Sequence, residues 1–243
     1  MPVSTESVST AAGPIPVDVY TPASTGKCAA VLILHGTLGL DAPFGPDIIS
    51  FADALQKSGV AAAIPQYFKA TRTTAGDQAM QALLSDASAL PAWKTACGAA
   101  LSFMAGDKRF DPTKFGLLGF SLGGHIALSL AMARPSGVTL KGLVDFFGPT
   151  VQVPLSGDWS ALPPTLIHHG TTDPLSIENS EHVVEELEKK GRKVARLTFG
   201  TAGAGISAGD QFVTYPGEGH GFKGAALNGS RDMTIDFFAK RLK

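Results

Sequence analysis

Short apolar runs alternate with longer amphipathic stretches along the chain. Val17–Tyr20 predicts a short strand, and Ala29–Leu34 a buried one that runs into His35-Gly36. Asp47–Ser58 spaces Ile48, Phe51, Ala52 and Leu55 as one face of a helix and stops at Gly59, a residue suited to the left-handed turn after a helix. Val60–Ile64 predicts another buried strand. Gln78–Ala105 reads as a long alanine-rich helical region, broken or restarted near Pro91. Then follow a strand over Phe115–Phe120, a helix over Leu122–Ala133, and strands over Leu140–Phe147 and Thr165–His168. Ile177–Lys190 is a strongly amphipathic helix ended by Gly191. Arg196–Phe199 and Gln211–Tyr215 predict short strands, and Asp232–Leu242 a closing helix.

Apolar strands alternating with helices argue for the α/β class: a mostly parallel sheet with helices on both faces, a three-layer αβα sandwich. No repeat and no dividing linker stands out, so residues 1–243 read as one domain. Thr201–Asp210 is the single low-complexity piece and is expected as a surface loop or hairpin tip.

Composition narrows the function classes. The 243 residues carry 20 Lys and Arg against 21 Asp and Glu, and 44% are hydrophobic but only 17% charged. Such a chain has no field to attract nucleic acid or an acidic membrane surface, and too many apolar residues for a disordered segment. Cys28 and Cys97 have no CxxC spacing and read as buried free thiols. Met1–Ala12 has neither a basic start nor an apolar run and does not read as a signal peptide. The longest apolar runs fall short of the ~20 residues that span a bilayer. The expectation is a soluble cytoplasmic protein, monomer or homodimer, with no membrane or nucleic-acid partner.

In open α/β sheets, ligands bind beyond the carboxyl ends of the strands. The residues standing there are therefore the candidates. Gly119-Phe120-Ser121-Leu122-Gly123 matches G-x-S-x-G between a strand and a helix. That turn strains the serine backbone, and flanking glycines relieve the crowding while the hydroxyl stays exposed. A serine nucleophile needs a base, and the base an orienting acid. Of the 6 histidines, His220 sits in a Gly-flanked loop after the last strand, where an imidazole can swing over the sheet edge. His35 reads as structural, His125 as a packing residue one turn into the helix, and His182 as solvated. His168 and His169 end a strand. Asp173, on the loop after Thr165–His168, is the expected acid. Asp158 lies in an apparent surface turn, and Glu218 is too near His220 in sequence. The order Ser121, Asp173, His220 is the triad order of the α/β-hydrolases. The oxyanion donors expected are the amides of Leu122 and Thr37, with Leu38 as the alternative to Thr37.

The residues Leu32-Ile33-Leu34-His35-Gly36, Gly119–Gly124, Phe147-Gly148, His168–Asp173 and Tyr215–Phe222 resemble those of the dienelactone hydrolase family, over nearly the whole chain. The resemblance implies the α/β-hydrolase fold and hydrolysis of lactones and esters through a nucleophile–His–Asp triad without a cofactor. Dienelactone hydrolases proper place Cys where this chain has Ser121, and other branches with Ser there include esterases. They also bind the substrate carboxylate with arginines. Arg72, with Lys69 beside it, is the basic residue in a comparable place here, or else a solvated surface charge.

Aromatic and apolar residues on the same edge are candidate pocket walls: Leu38, Phe44, Tyr67, Phe68, Phe120, Phe147, Trp159 and Phe222. With no large cap insertion between Phe147 and Thr165, a small site for short acyl or lactone groups is expected. No HxH, HExxH or Cys/His spacing supports a metal site. The leading reading is a serine hydrolase of small carboxylic esters or lactones. A peptidase or acyl-transferase using the same triad, and a non-catalytic binding protein of this fold, are the alternatives.

Overall fold

The computed structural model describes residues 3–201, 205–207 and 209–243. Among these, the strands β1 (Val3–Thr10), β2 (Gly13–Tyr20), β3 (Cys28–Leu34), β4 (Ala61–Pro65), β5 (Phe110–Phe120), β6 (Leu140–Phe146), β7 (Thr165–Gly170), β8 (Val194–Thr198) and β9 (Asp210–Tyr215) form one 9-stranded sheet in the order β1-β2-β4-β3-β5-β6-β7-β9-β8. From β4 to β8 the neighbours pair in parallel; β2 is antiparallel to both of its neighbours.

The alternation within β3 divides the interior. Val31 and Ile33 face helices α1 (Gly45–Lys57) and α6 (Gly224–Arg241), meeting Phe51, Leu55, Phe237 and Phe238. Leu32 and Leu34 face the other way, toward α3 (Ala89–Gly106), α4 (Leu122–Met132) and α5 (Glu178–Lys189), with Trp93, Ile126 and Val183. Both clusters are built of apolar side chains, as a sheet covered on two faces requires. The α/β-hydrolase architecture, mostly parallel with helices on both sides, is the observed one.

Three elements depart from the sequence reading. Met1–Ala12, read only as a polar terminus, supplies β1, which pairs with β2 from Val3↔Tyr20 to Thr10↔Gly13. Its Ser/Thr alternation buries Val8 alone, so hydropathy does not mark it. The closing helix begins at Gly224, not Asp232. Its first half carries Gly224, Asn228, Gly229 and Ser230, poor helix formers that packing of Ala226 and Ser230 holds in place. Thr201–Asp210 is no hairpin tip, because β8 and β9 run parallel and the segment must cross over. Residues 202–204 and 208 lie outside the described set, while Ile206 is buried and Lys240 Nζ donates to its carbonyl at 2.7 Å. The long helical region divides at residues 86–88 into α2 (Asp77–Ser85) and α3, which places Pro91 in the first turn of α3.

Among the described residues, no helix is long and apolar enough to cross a membrane, and no cluster of three or more His, Cys, Asp or Glu could hold a metal ion.

Candidate active site

Five strands deliver their following residues to one edge. β3 leads into Gly36-Thr37-Leu38-Gly39, a turn closed by the Gly39 amide donating to Gly36 O at 3.0 Å. β5 leads into Ser121, β6 into Phe147, β7 into Asp173 and β9 into His220.

Ser121 makes the whole turn between β5 and α4 by itself, with φ 53° and ψ −121°. This is the left-handed side of backbone space, rare for a residue with a side chain and costing on the order of 1–3 kcal/mol. It is held from both directions. The Ser121 amide donates to Phe146 O at 2.8 Å, and its carbonyl accepts from the amides of Gly124 and His125 at 2.8 and 3.2 Å. Gly119 and Gly123 make the turn possible. A methyl on Gly119 would collide with the Gly123 carbonyl, and one on Gly123 with the Leu34 carbonyl. Gly36 is close as well, since a Cβ there would sit 3.2 Å from Ser121 Cβ.

His220 Nδ1 donates to the Asp173 carboxylate, at 2.9 Å to Oδ2 and 3.1 Å to Oδ1. The Asp173 side chain is fully buried, and its Oδ1 also accepts the Leu175 amide at 2.7 Å. The His220 side chain is 31% exposed and its ring lies 4.5 Å from that of Phe147. A second imidazole, His169, stands 3.8 Å from Asp173 Oδ2. Its Nε2 donates to Leu175 O and its Nδ1 accepts from the Ser180 hydroxyl, and burial lowers its basicity. Of the two rings beside Asp173, only that of His220 reaches the cavity.

Ser121 and His220 open into one cleft of about 630 Å³, its open mouth included. Thr37, Leu38, Phe44, Phe120, Phe147 and Phe222 also line it. Among the described residues, the Thr37 and Leu122 amides donate to no other group, and the Leu122 amide opens α4 at its positive end.

Four expected wall residues do not reach the cleft. Tyr67 is fully buried. It stacks on His35 with centroids 4.1 Å apart and donates its hydroxyl to His35 O at 2.6 Å, so its polar end is spent inside the fold. Phe68 packs edge-on to Trp93 in the core. Trp159 packs on His182 beyond α4 and α5. Arg72, at the end of the 3-10 turn Tyr67–Thr71, is exposed and away from the lining, as is Lys69. His182 is half-buried, not solvated, with Nδ1 3.2 Å from Thr150 Oγ1.

The structure instead supplies Asp47, Ile48 and Phe51 from α1, Phe146 from β6, and Leu227 and Ser230 from α6. Ile48 and Phe51 have the spacing of core residues, and nothing in the sequence separates a residue facing a cavity from one facing the sheet. The remaining histidines are structural. His35 Nδ1 lies 2.8 Å from Gly36 O and His125 Nδ1 2.8 Å from Pro149 O, while His168 is buried against Phe146 and Tyr215.

The sequence matches the model of the dienelactone hydrolase family over residues 15–232. No curated protein matches the chain. Among solved structures, it is similar to a dienelactone hydrolase from Anabaena variabilis, at 20% identity and a TM-score of 0.70, covering 100% of this chain and 99% of that one. It is also similar to an esterase from Pyrobaculum calidifontis, at 19% identity and a TM-score of 0.69, covering 98% of this chain and 84% of the other. A third is a lidless α/β serine hydrolase from Xanthomonas campestris, at 17% identity and a TM-score of 0.64, covering 99% and 95% of the two chains. With strand order, turn geometry and family match in agreement, the chain belongs to the dienelactone hydrolase family and is an ester-hydrolysing hydrolase.

Proposed function

We propose that this enzyme cleaves small carboxylic esters or lactones by way of an acyl-enzyme formed on Ser121. In this reading the Ser121 hydroxyl attacks the ester carbonyl. His220 Nε2 takes the proton and returns it to the leaving alkoxide, while the buried Asp173 carboxylate fixes the tautomer through Nδ1–H and stabilises the imidazolium. The Leu122 and Thr37 amides receive the oxyanion. Water then enters; His220 removes its proton as the oxygen adds to the acyl carbon, then gives that proton to Ser121 Oγ as the Ser121–acyl bond breaks and the acyl group leaves as a carboxylic acid.

One observation carries the reading. The residue with the strained backbone, Ser121, shares a cleft with an imidazole whose far nitrogen is bonded to a buried carboxylate. A packing histidine has no need of that arrangement. The moderate, largely apolar cleft favours short acyl groups over long lipids.

The test is labelling by a fluorophosphonate together with turnover of short p-nitrophenyl esters, for the parent protein and Ser121→Ala. The reading expects both signals in the parent and neither in the variant. Turnover retained in the variant would remove Ser121 from the mechanism, and no labelling of the parent would remove the acyl-enzyme on Ser121.

A further inference from the structure

Apart from His220, the cleft is lined by one ionisable side chain, Asp47, and by no Lys or Arg among the described residues. The rest of the wall is strongly aromatic, with Phe44, Phe51, Phe120, Phe146, Phe147 and Phe222 around it. The reacting groups come from strand ends, whereas Asp47 and Ser230 come from the helix pair α1 and α6.

The Asp47 carboxylate accepts no hydrogen bond among the described residues. Burial raises its pKa and the nearby Arg231 guanidinium opposes that shift. Arg231 does not line the cleft. It donates to Ser50 Oγ at 3.1 Å and to Asn228 Oδ1 at 2.9 Å, which turns hydrogen bonds toward those side chains. Ser230 is fully buried and donates to Leu227 O at 3.0 Å. The open hydrogen-bonding capacity of this wall is therefore an acceptor carrying negative charge.

Such a wall discriminates by charge. A carboxylate brought beside Asp47 meets a like charge on a half-buried wall, while the nearby cation, Arg231, lies off the lining with its hydrogen bonds turned to Ser50 and Asn228. A donor group meets an unused acceptor, and an ammonium is further attracted by aromatic rings.

We propose that Asp47 is the specificity-determining residue of this cleft: the substrate end seated between α1 and α6 carries a hydrogen-bond donor, an ammonium or a hydroxyl, and esters bearing a carboxylate there are rejected. The proposal rests on the ester-hydrolase reading. It departs from the carboxylate recognition that the family resemblance implies. The competing role for Asp47 is structural, as an acid in the first turn of α1 interacting with the helix dipole. That role predicts a change in stability and none in charge preference.

The test uses phenyl esters of acyl chains of equal length ending in ammonium, hydroxyl, methyl or carboxylate, with a matching series bearing the group on the alcohol side. kcat/KM is expressed relative to the methyl-ended ester for each enzyme. In the parent enzyme, the carboxylate-ended ester should fall at least about 10-fold below the methyl-ended one and a donor-ended ester should exceed it. Asp47→Asn should shrink the carboxylate gap by about 10-fold, and Asp47→Lys should reverse it. The hydroxyl and ammonium arms decide which donor is preferred. A carboxylate-ended ester as good as the methyl-ended one, or ratios unchanged in Asp47→Asn, would overturn the proposal.

Binding of butylammonium against butyrate to Ser121→Ala, followed by calorimetry, reads the same preference without turnover. If no ester is hydrolysed, the fault lies with the ester-hydrolase reading, and this binding ratio still decides the role of Asp47. Tighter ammonium binding that Asp47→Asn abolishes supports it, and equal binding of the two ions overturns it.

Discussion

His220 Nδ1 donates to Asp173 Oδ2 at 2.9 Å across 47 residues of chain, with the carboxylate sealed from solvent and the ring partly open to it. Asp173→Asn preserves the shape but presents an amide that can favour the wrong imidazole tautomer. kcat on a short ester should fall by about 10⁴-fold with the thermal midpoint little changed. A loss below tenfold in a folded variant would show that Asp173 does not orient the base.

Gly123 is packed so closely against β3 that a methyl there strikes the Leu34 carbonyl. Gly123→Ala should destabilise the protein by about 3 kcal/mol or more, because backbone on both sides must move. The urea midpoint checks it, with Gly26→Ala as the comparison, since a Cβ at Gly26 meets open space. Similar midpoints for the two variants would contradict the close approach.

Tyr67 acts from behind the site. Its hydroxyl satisfies His35 O at 2.6 Å, just before the Gly36-Thr37 turn. Tyr67→Phe leaves that buried carbonyl unpaired and should lower stability by about 1–3 kcal/mol in urea unfolding. A variant as stable as the parent would show that the bond contributes nothing. This contrasts with a wall residue, whose loss is read in KM.

Burial pushes the imidazoles of His35 and His125 down to about 4 and that of His168 to about 3. In the unfolded chain each titrates near 6.5. Their contribution to stability is complete above pH 6.5 and is lost as pH falls from there toward 4, where the unfolded state takes up protons first. Asp145 works the other way. Burial raises it to about 7, so its contribution is present below pH 4 and is lost as pH rises to 7. Three protons gained by the unfolded chain outweigh one retained by the folded chain. Stability should therefore drop below pH 6.5, by at most about 3 kcal/mol per pH unit. Urea midpoints between pH 7.5 and 4.5 measure it, and a flat profile would contradict the buried neutral rings.

The legible parts of the fold are those buried on both sides. β3, β4, β6 and β7 have few positions that need be polar, so their apolar runs stand out. β1 is hidden because an edge strand with one buried residue can be built from Ser and Thr. The start of α6 is hidden because packing of Ala226 and Ser230 overrides its glycines. At the site, Ser121, Asp173 and His220 stand out because each is a reactive residue in a short loop beside glycine or just past a strand. The walls do not, since hydrophobic spacing reports that a ring is buried but not against what. Tyr67, Phe68 and Trp159 look as suitable as Phe147 and Phe222 until their neighbours are known.

The conformation of Ser121 has an evolutionary consequence. Only glycine is at ease at φ 53° and ψ −121°, so selection for durability alone would place glycine there. Ser121→Gly should melt at a higher temperature than the parent while turning over nothing. A serine at 121 therefore holds the fold below the durability that glycine would give it, a cost that its hydroxyl alone, and not its backbone, has the means to offset.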